Sequence, residues 1–442
     1  MPDTVLPDTV FLAHAVGVRT DLPVPLLAVL VAGALAVLVS FLALGALWRT
    51  SRLRGDAAGR PVPAVVQRLV DGRVLRGLLR AGVLLATGFV VVVALLGPRE
   101  AAFNLAPYAF YVTFWVGLVP ASLLLGPVWR AVNPLRTLYA GLARLAGPPP
   151  GEGGADRLGV WPAAVVLLAY AWLELVFPDR AVPQNVGLVL VGHAVLQLVA
   201  ALWYGPRWFA CGDPFEVYSS LLGRLAPVGR RADGTLVLRN PLDGADGTPA
   251  LPGLAVFVTV LVGTTAFDGV TRATWYASRY GGSGADVLVP TLVLLLVVGL
   301  VAGLYVLATS LAGRLTGTPD APRTYAHSVV PIAAGYAVAH YSSLLLLEGQ
   351  LTWILLSNPF AQDGVDLFGT YRNEVDLLAV QPATIAAVQI GAIVLGHVVG
   401  VVLAHDRAVR LGGTAERARR AQYPLLAVMV GLTVGGLGLL LG

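Results

Sequence analysis

Eight side chains with acid–base or metal-ligating chemistry fall in or at the edges of apolar stretches of this sequence: Glu174, His193, Asp268, His327, His340, Glu348, His397 and His405. An ionisable group there costs roughly 3 kcal/mol unless a partner or a wet cavity receives it. Imidazoles and carboxylates in such a setting suit two tasks, relaying protons and holding a divalent transition metal. The metal expectation takes His193, His340, His397 and Glu348 as ligands. Glu174, Asp268, His327 and His405 are then pathway or interface positions.

Helical geometry orders these residues. At about 1.5 Å per residue, Glu174, Asp268 and Glu348 fall in the outer third of their helices, while His193 and His340 come out near the midplane. His397 lies deeper toward the cytoplasm, and His327 and His405 sit at the inner edge. His397 and His405 are about 80° apart on a helical wheel and share a side; Tyr336, His340 and Ser343 share a stripe. His327 and His340, about 220° apart, face different neighbours, with Pro331 as a kink site between them. The plain alternative for each His is a hydrogen bond to a neighbouring helix, and for Glu174, beside Trp172, solvation at the outer headgroups.

The elements that position these groups are membrane spans. Of 442 residues, 57% are hydrophobic and 12% charged, against roughly 25% charged in a soluble domain. Runs long enough to cross a bilayer, about 20 apolar residues each, occur near 24–48, 79–97, 108–128, 158–177, 185–204, 251–268, 287–312, 327–348, 380–404 and 421–441. The first lacks a basic flank and is too long for a signal-peptide core, so it reads as a retained anchor. The expected fold is all-α: one transmembrane domain over 1–442, a bundle of about ten helices.

All 30 basic residues are Arg, a composition that suits a GC-rich bacterial genome and the bacterial plasma membrane. The stretch after Trp48 carries Arg49, Arg52, Arg54, Arg60, Arg68, Arg73, Arg76 and Arg80, which places it in the cytoplasm. Alternating loops then put 24 of the 30 arginines inside and both termini outside. Such loops meet lipid, with anionic headgroups or a protein partner at the cytoplasmic face. No basic patch interleaved with aromatics suggests nucleic acid. Cys211 is the sole cysteine, so any metal must use His and carboxylates.

Two stretches share a pattern: GPVWRAVNPLRTLYAGLARLA from Gly126 and GPRWFACGDPFEVYSSLLGRLA from Gly205. Trp129 aligns with Trp208, Asn133-Pro134 with Asp213-Pro214 after a one-residue slip, and Tyr139 with Tyr218. Each follows an outside-to-inside helix, which makes the pair a parallel two-helix repeat. Locally, Asx before Pro starts a helix, expected here along the cytoplasmic interface. The loop 205–250 thus holds an amphipathic helix and, in RRADGTLVLRNPLDG, a small hairpin. Gly431, Gly435, Gly436 and Gly438 suit close helix packing. HExxH, P-loop, dinucleotide-binding and nucleophile-elbow motifs do not occur.

The strings HAVGVRTDLPVP from His14, FNLAPYAFYVTFWVGLVP from Phe103, DPFEVYSSLLGRLAP from Asp213, AHSVVPIAAGYAVAHY from Ala326 and GHVVGVVLAHDRA from Gly396 resemble a family of actinobacterial polytopic membrane proteins often labelled fenitrothion hydrolase. The resemblance covers most of the chain. Its label implies hydrolysis of an organophosphate triester, chemistry that usually uses metal-activated water. Three functions therefore stand open: a transporter or metal-handling permease, a membrane-embedded metal-dependent hydrolase, and a non-catalytic membrane subunit or scaffold.

Overall fold

The computed structural model describes residues 25–280, 287–412 and 415–441; the string from His14 and Arg19 lie outside them. The chain is an all-α polytopic helix bundle. Among the described residues nine helices are long and apolar enough to span a membrane, and the shorter apolar helix Trp161–Leu175 occupies the remaining expected run.

In chain order the helices used below are α1 (Leu26–Leu47), α2 (Ala64–Asp71), α3 (Arg73–Leu96), α4 (Leu105–Leu125), α5 (Val128–Val132), α6 (Pro134–Ala146), α7 (Trp161–Leu175), α8 (Pro183–Tyr204), α9 (Phe209–Gly212) and α10 (Pro214–Leu222). They continue as α11 (Leu254–Arg272), α12 (Leu288–Thr316), α13 (Val330–Leu356), α14 (Pro382–Leu411) and α15 (Ala415–Leu441). Leucines and valines on α1, α3, α8 and α12 remain exposed, as a lipid-facing surface requires when every backbone bond is made within its own helix. The main core joins α4, α7, α10, α11 and α13 around Phe110, Tyr170, Phe215, Phe257 and Ala333. A second cluster joins α1, α12, α14 and α15 around Phe41, Ala312, Val401 and Leu425.

Close helix approach is made by other glycines than the four at the carboxyl end. A Cβ on Gly335 would lie 2.3 Å from the Ala392 carbonyl, one on Gly396 2.6 Å from that of Pro331, and one on Gly400 2.7 Å from that of Ser328. These three bring α13 and α14 nearly into backbone contact. Gly436 does meet Tyr336, but Gly431, Gly435 and Gly438 have nothing within 4 Å among the described residues.

The expected hairpin forms: β2 (Val228–Arg230) pairs antiparallel with β3 (Leu236–Leu238). Sequence patterning missed its third strand, β1 (Arg60–Pro61), which pairs with β3 from the first arginine-rich loop. Two residues are too few to show a period of two. Asp71, at the end of α2, receives the Arg230 guanidinium, which holds its carboxyl below the ordinary 3.8.

Candidate functional site

The two repeated stretches form matching units whose tips meet inside the bundle. Each begins at a glycine with positive φ, Gly126 at 91° and Gly205 at 85°, a conformation that side-chain-bearing residues adopt at a cost. A short helical segment follows, then an Asx-Pro break, then a second helix. The Asn133 side chain accepts from the Leu135 amide at 2.9 Å, and that of Asp213 from the Phe215 amide at 2.9 Å. Both caps supply donors that the first helical turn lacks.

The depth of the second unit follows from its neighbours. Gln197 and His193 lie seven and eleven residues before the carboxyl end of α8 at Tyr204, about 10 and 16 Å along the helix. The Gln197 amide donates to the Gly212 carbonyl at 2.9 Å, and His193 Nε2 is 4.0 Å from Asp213 Oδ1. After Gly205 the chain therefore turns back alongside α8 into the bundle, breaks at Asp213-Pro214, and returns along α10. Ser219 meets Ser122 of α4 at 2.9 Å, and a Cβ on Gly223 would collide with Pro127. The interfacial expectation for this stretch is thus corrected: eight of the nine α10 residues are buried.

Asn133 links the two tips. Its Nδ2 donates to Asp213 Oδ2 at 2.8 Å and is 3.3 Å from Glu216 Oε2. Arg136 then grips Glu216 with a two-pronged contact, at 2.7 and 2.6 Å, and donates to the Pro206 carbonyl at 3.0 Å. Asp213, Glu216 and Asn133 are fully buried, so this cluster compensates two interior carboxylates with one guanidinium, one amide and the nearby imidazole. Sequence reasoning treated Asp213 as a cap and passed over Glu216 and Arg136. Alignment of Asn133 with Asp213 was the available signal, but depth cannot be read from it.

A second cluster lies toward the carboxyl end of α11. Asp268 Oδ2 hydrogen-bonds His340 Nε2 of α13, Arg272 approaches the same nitrogen at 3.0 Å, and the Tyr341 hydroxyl donates to Asp268 at 3.3 Å. The Tyr336 ring stacks on His340, centroids 5.8 Å apart, as their shared stripe requires. Pairing across helices is how a bundle accommodates such groups in a membrane.

Between the clusters is a cavity of about 40 Å³, whose lining includes Trp115, Phe215 and Tyr218, Glu174 of α7, Thr264 and Thr265 of α11, and Tyr341. It has room for roughly two or three waters. Residues Tyr108–Val116 of α4 are π-helical, a form that recurs at functional sites, and this segment carries Trp115 and Val116 to the cavity wall. Glu174 faces an interior space, where headgroup solvation had been expected. Among the described residues it has no hydrogen-bond or ion-pair partner.

The other expected site residues are dispersed. His397 Nδ1 donates to the Ile393 carbonyl of its own helix at 2.8 Å, and His327 Nδ1 to that of Thr324 at 3.1 Å. His405 bridges the Gln422 side chain and the Trp48 carbonyl at 2.8 and 2.9 Å. Glu348 is half-buried at the junction of Val330–Leu347 and Gly349–Leu356. His193, His340 and His397 thus have three separate sets of neighbours. Among the described residues no group of three or more His, Cys, Asp and Glu side chains could hold a metal ion, so the expected gathering of His193, His340, His397 and Glu348 on one ion is not found.

Fold and site together define a multi-pass helical membrane protein with a polar interior. Comparison with protein-family models, curated proteins and solved structures finds no match.

Proposed function

We propose that this is a transporter of the bacterial plasma membrane whose interior carries protons between its two faces. The observation that carries the proposal is the position of Glu174: an unpaired carboxyl on a small cavity between the Asp213–His193 and Asp268–His340 pairs. Protons need only titratable groups and water, and the cavity volume suits water. Tyr341 adds continuity, since its ring lines the cavity while its hydroxyl reaches Asp268. The arginine-rich face then meets anionic headgroups, which hold the bundle in register with the membrane. Triester hydrolysis draws on the family resemblance alone.

The test is proton movement in vesicles. Protein in liposomes loaded with a pH-sensitive dye is expected to dissipate an imposed pH gradient faster than empty liposomes, and Asp213→Asn to slow it about tenfold or more. Dissipation at the rate of empty liposomes in both orientations of the gradient would overturn the proposal.

A further inference from the structure

We infer that the Glu174 cavity binds a small monovalent cation of the ammonium class. The inference rests on the proton-path reading in taking Glu174 as the group that faces the cavity space, and it adds a ligand.

The wall chemistry selects the class. Trp115, Phe215, Tyr218 and Tyr341 surround a space that also receives the Glu174 carboxyl. Aromatic rings attract a cation through their quadrupoles, and the attraction is strongest where water is excluded. One carboxylate supplies the counter-charge, and no arginine contests it within ion-pair distance among the described residues. An alkali ion stripped of water would instead need a shell of oxygens. The cavity's other polar side chains offer a few hydroxyls: Thr264 and Thr265, which donate to the Val260, Leu261 and Val262 carbonyls of their own helix, Tyr341, which donates to Asp268, and Tyr218; beside four rings they make a sparse oxygen shell. An N–H cation is satisfied by the carboxylate together with ring faces.

Volume selects the size. Space for roughly two or three waters admits ammonium or methylammonium; a cation with four methyl groups would have to displace the rings. Trp115 packs edge-on against Phe215, centroids 5.3 Å apart, and Phe215 packs against Tyr170 at 5.1 Å, so the wall has neighbours that resist such a displacement.

The experiment is titration calorimetry of the full chain in detergent with methylammonium chloride, sodium chloride and tetramethylammonium chloride. Saturable heat is expected with methylammonium alone. Glu174→Gln, which keeps shape and removes charge at an unpaired position, is expected to weaken it about tenfold or more, and Trp115→Leu to weaken it with the carboxylate intact. Absence of saturable methylammonium binding by the wild type, equal affinity in Glu174→Gln, or equal binding of sodium would each overturn the inference. Proton flux separates the two proposals: flux without methylammonium binding removes the cation site and leaves the transport reading, whereas Glu174-dependent binding without flux does the reverse.

Discussion

At the residue scale, the energetics of the interior turn on uncompensated charge. Glu216 is fully buried and its two oxygens are held by Arg136. Arg136→Ala should leave that carboxylate stranded and cost about 3 kcal/mol or more, whereas Arg136→Ala with Glu216→Gln should recover a substantial part. Thermal melting in detergent reads both; simple additivity of the two single changes would show that the contact is not coupled. The histidines show how much of such chemistry a sequence displays. Their types and helices were readable, and so was the Tyr336–His340 stripe. Partners were not, because partner choice depends on which faces of distant helices meet: His340 found Asp268, seventy-two residues away, and His193 found the tip of a broken helix.

At the element scale, the α13–α14 contact depends on glycines whose missing side chains admit backbone. Gly335→Ala would place a Cβ 2.3 Å from a carbonyl oxygen of the facing helix, and a backbone cannot swing aside as a side chain can. A loss of about 1–3 kcal/mol is expected, while Gly431→Ala, with open space around it, should melt like the wild type. Equal melting of the two variants would contradict the packing described. Of the four glycines near the carboxyl end only Gly436 meets a neighbour among the described residues, since small residues allow approach only where another helix arrives. The loop between α13 and α14 has its own device: Ser357 donates to Asp366 at 2.6 Å and the Tyr371 amide reaches the same oxygen at 3.2 Å. These bonds, the Ser357 hydroxyl foremost, hold the Asp366 carboxyl below its ordinary 3.8. Because the folded value is the lower one, the ordering it contributes is present above 3.8 and is lost as pH falls through that lower value. Hydrogen exchange across 357–381 should rise on acidification, and Asp366→Asn should show the raised exchange at neutral pH. Exchange that is insensitive to both would remove the carboxylate from the loop's stability.

For the whole molecule, nine span-length helices and the shorter apolar helix Trp161–Leu175 were legible among the described residues because the bilayer imposes a length rule on every span alike. The arginine-rich end of the bundle then required three-dimensional information. Asp406 accepts from Trp48, Ser51, the Arg52 amide and Arg410, and Asp246 pairs with Arg407 and Arg410. Together with the β1–β3–β2 sheet, these contacts tie three loops into one platform at one end of the bundle. Single cysteines at Arg60 and Asp363 should label from opposite sides of the membrane, with little background from buried Cys211; labelling from one side would break the ten-crossing topology.

The central claim, that the interior column carries protons through Glu174, is tested most directly by proton uptake into proteoliposomes under an imposed potassium diffusion potential. Wild type, Glu174→Gln and Asp320→Asn are compared; Asp320 is an exposed residue paired with Arg323 in the turn after α12. The expected result is potential-driven uptake in the wild type and in Asp320→Asn, and uptake no faster than empty vesicles in Glu174→Gln with its melting temperature preserved. Wild-type uptake retained in Glu174→Gln would contradict the claim.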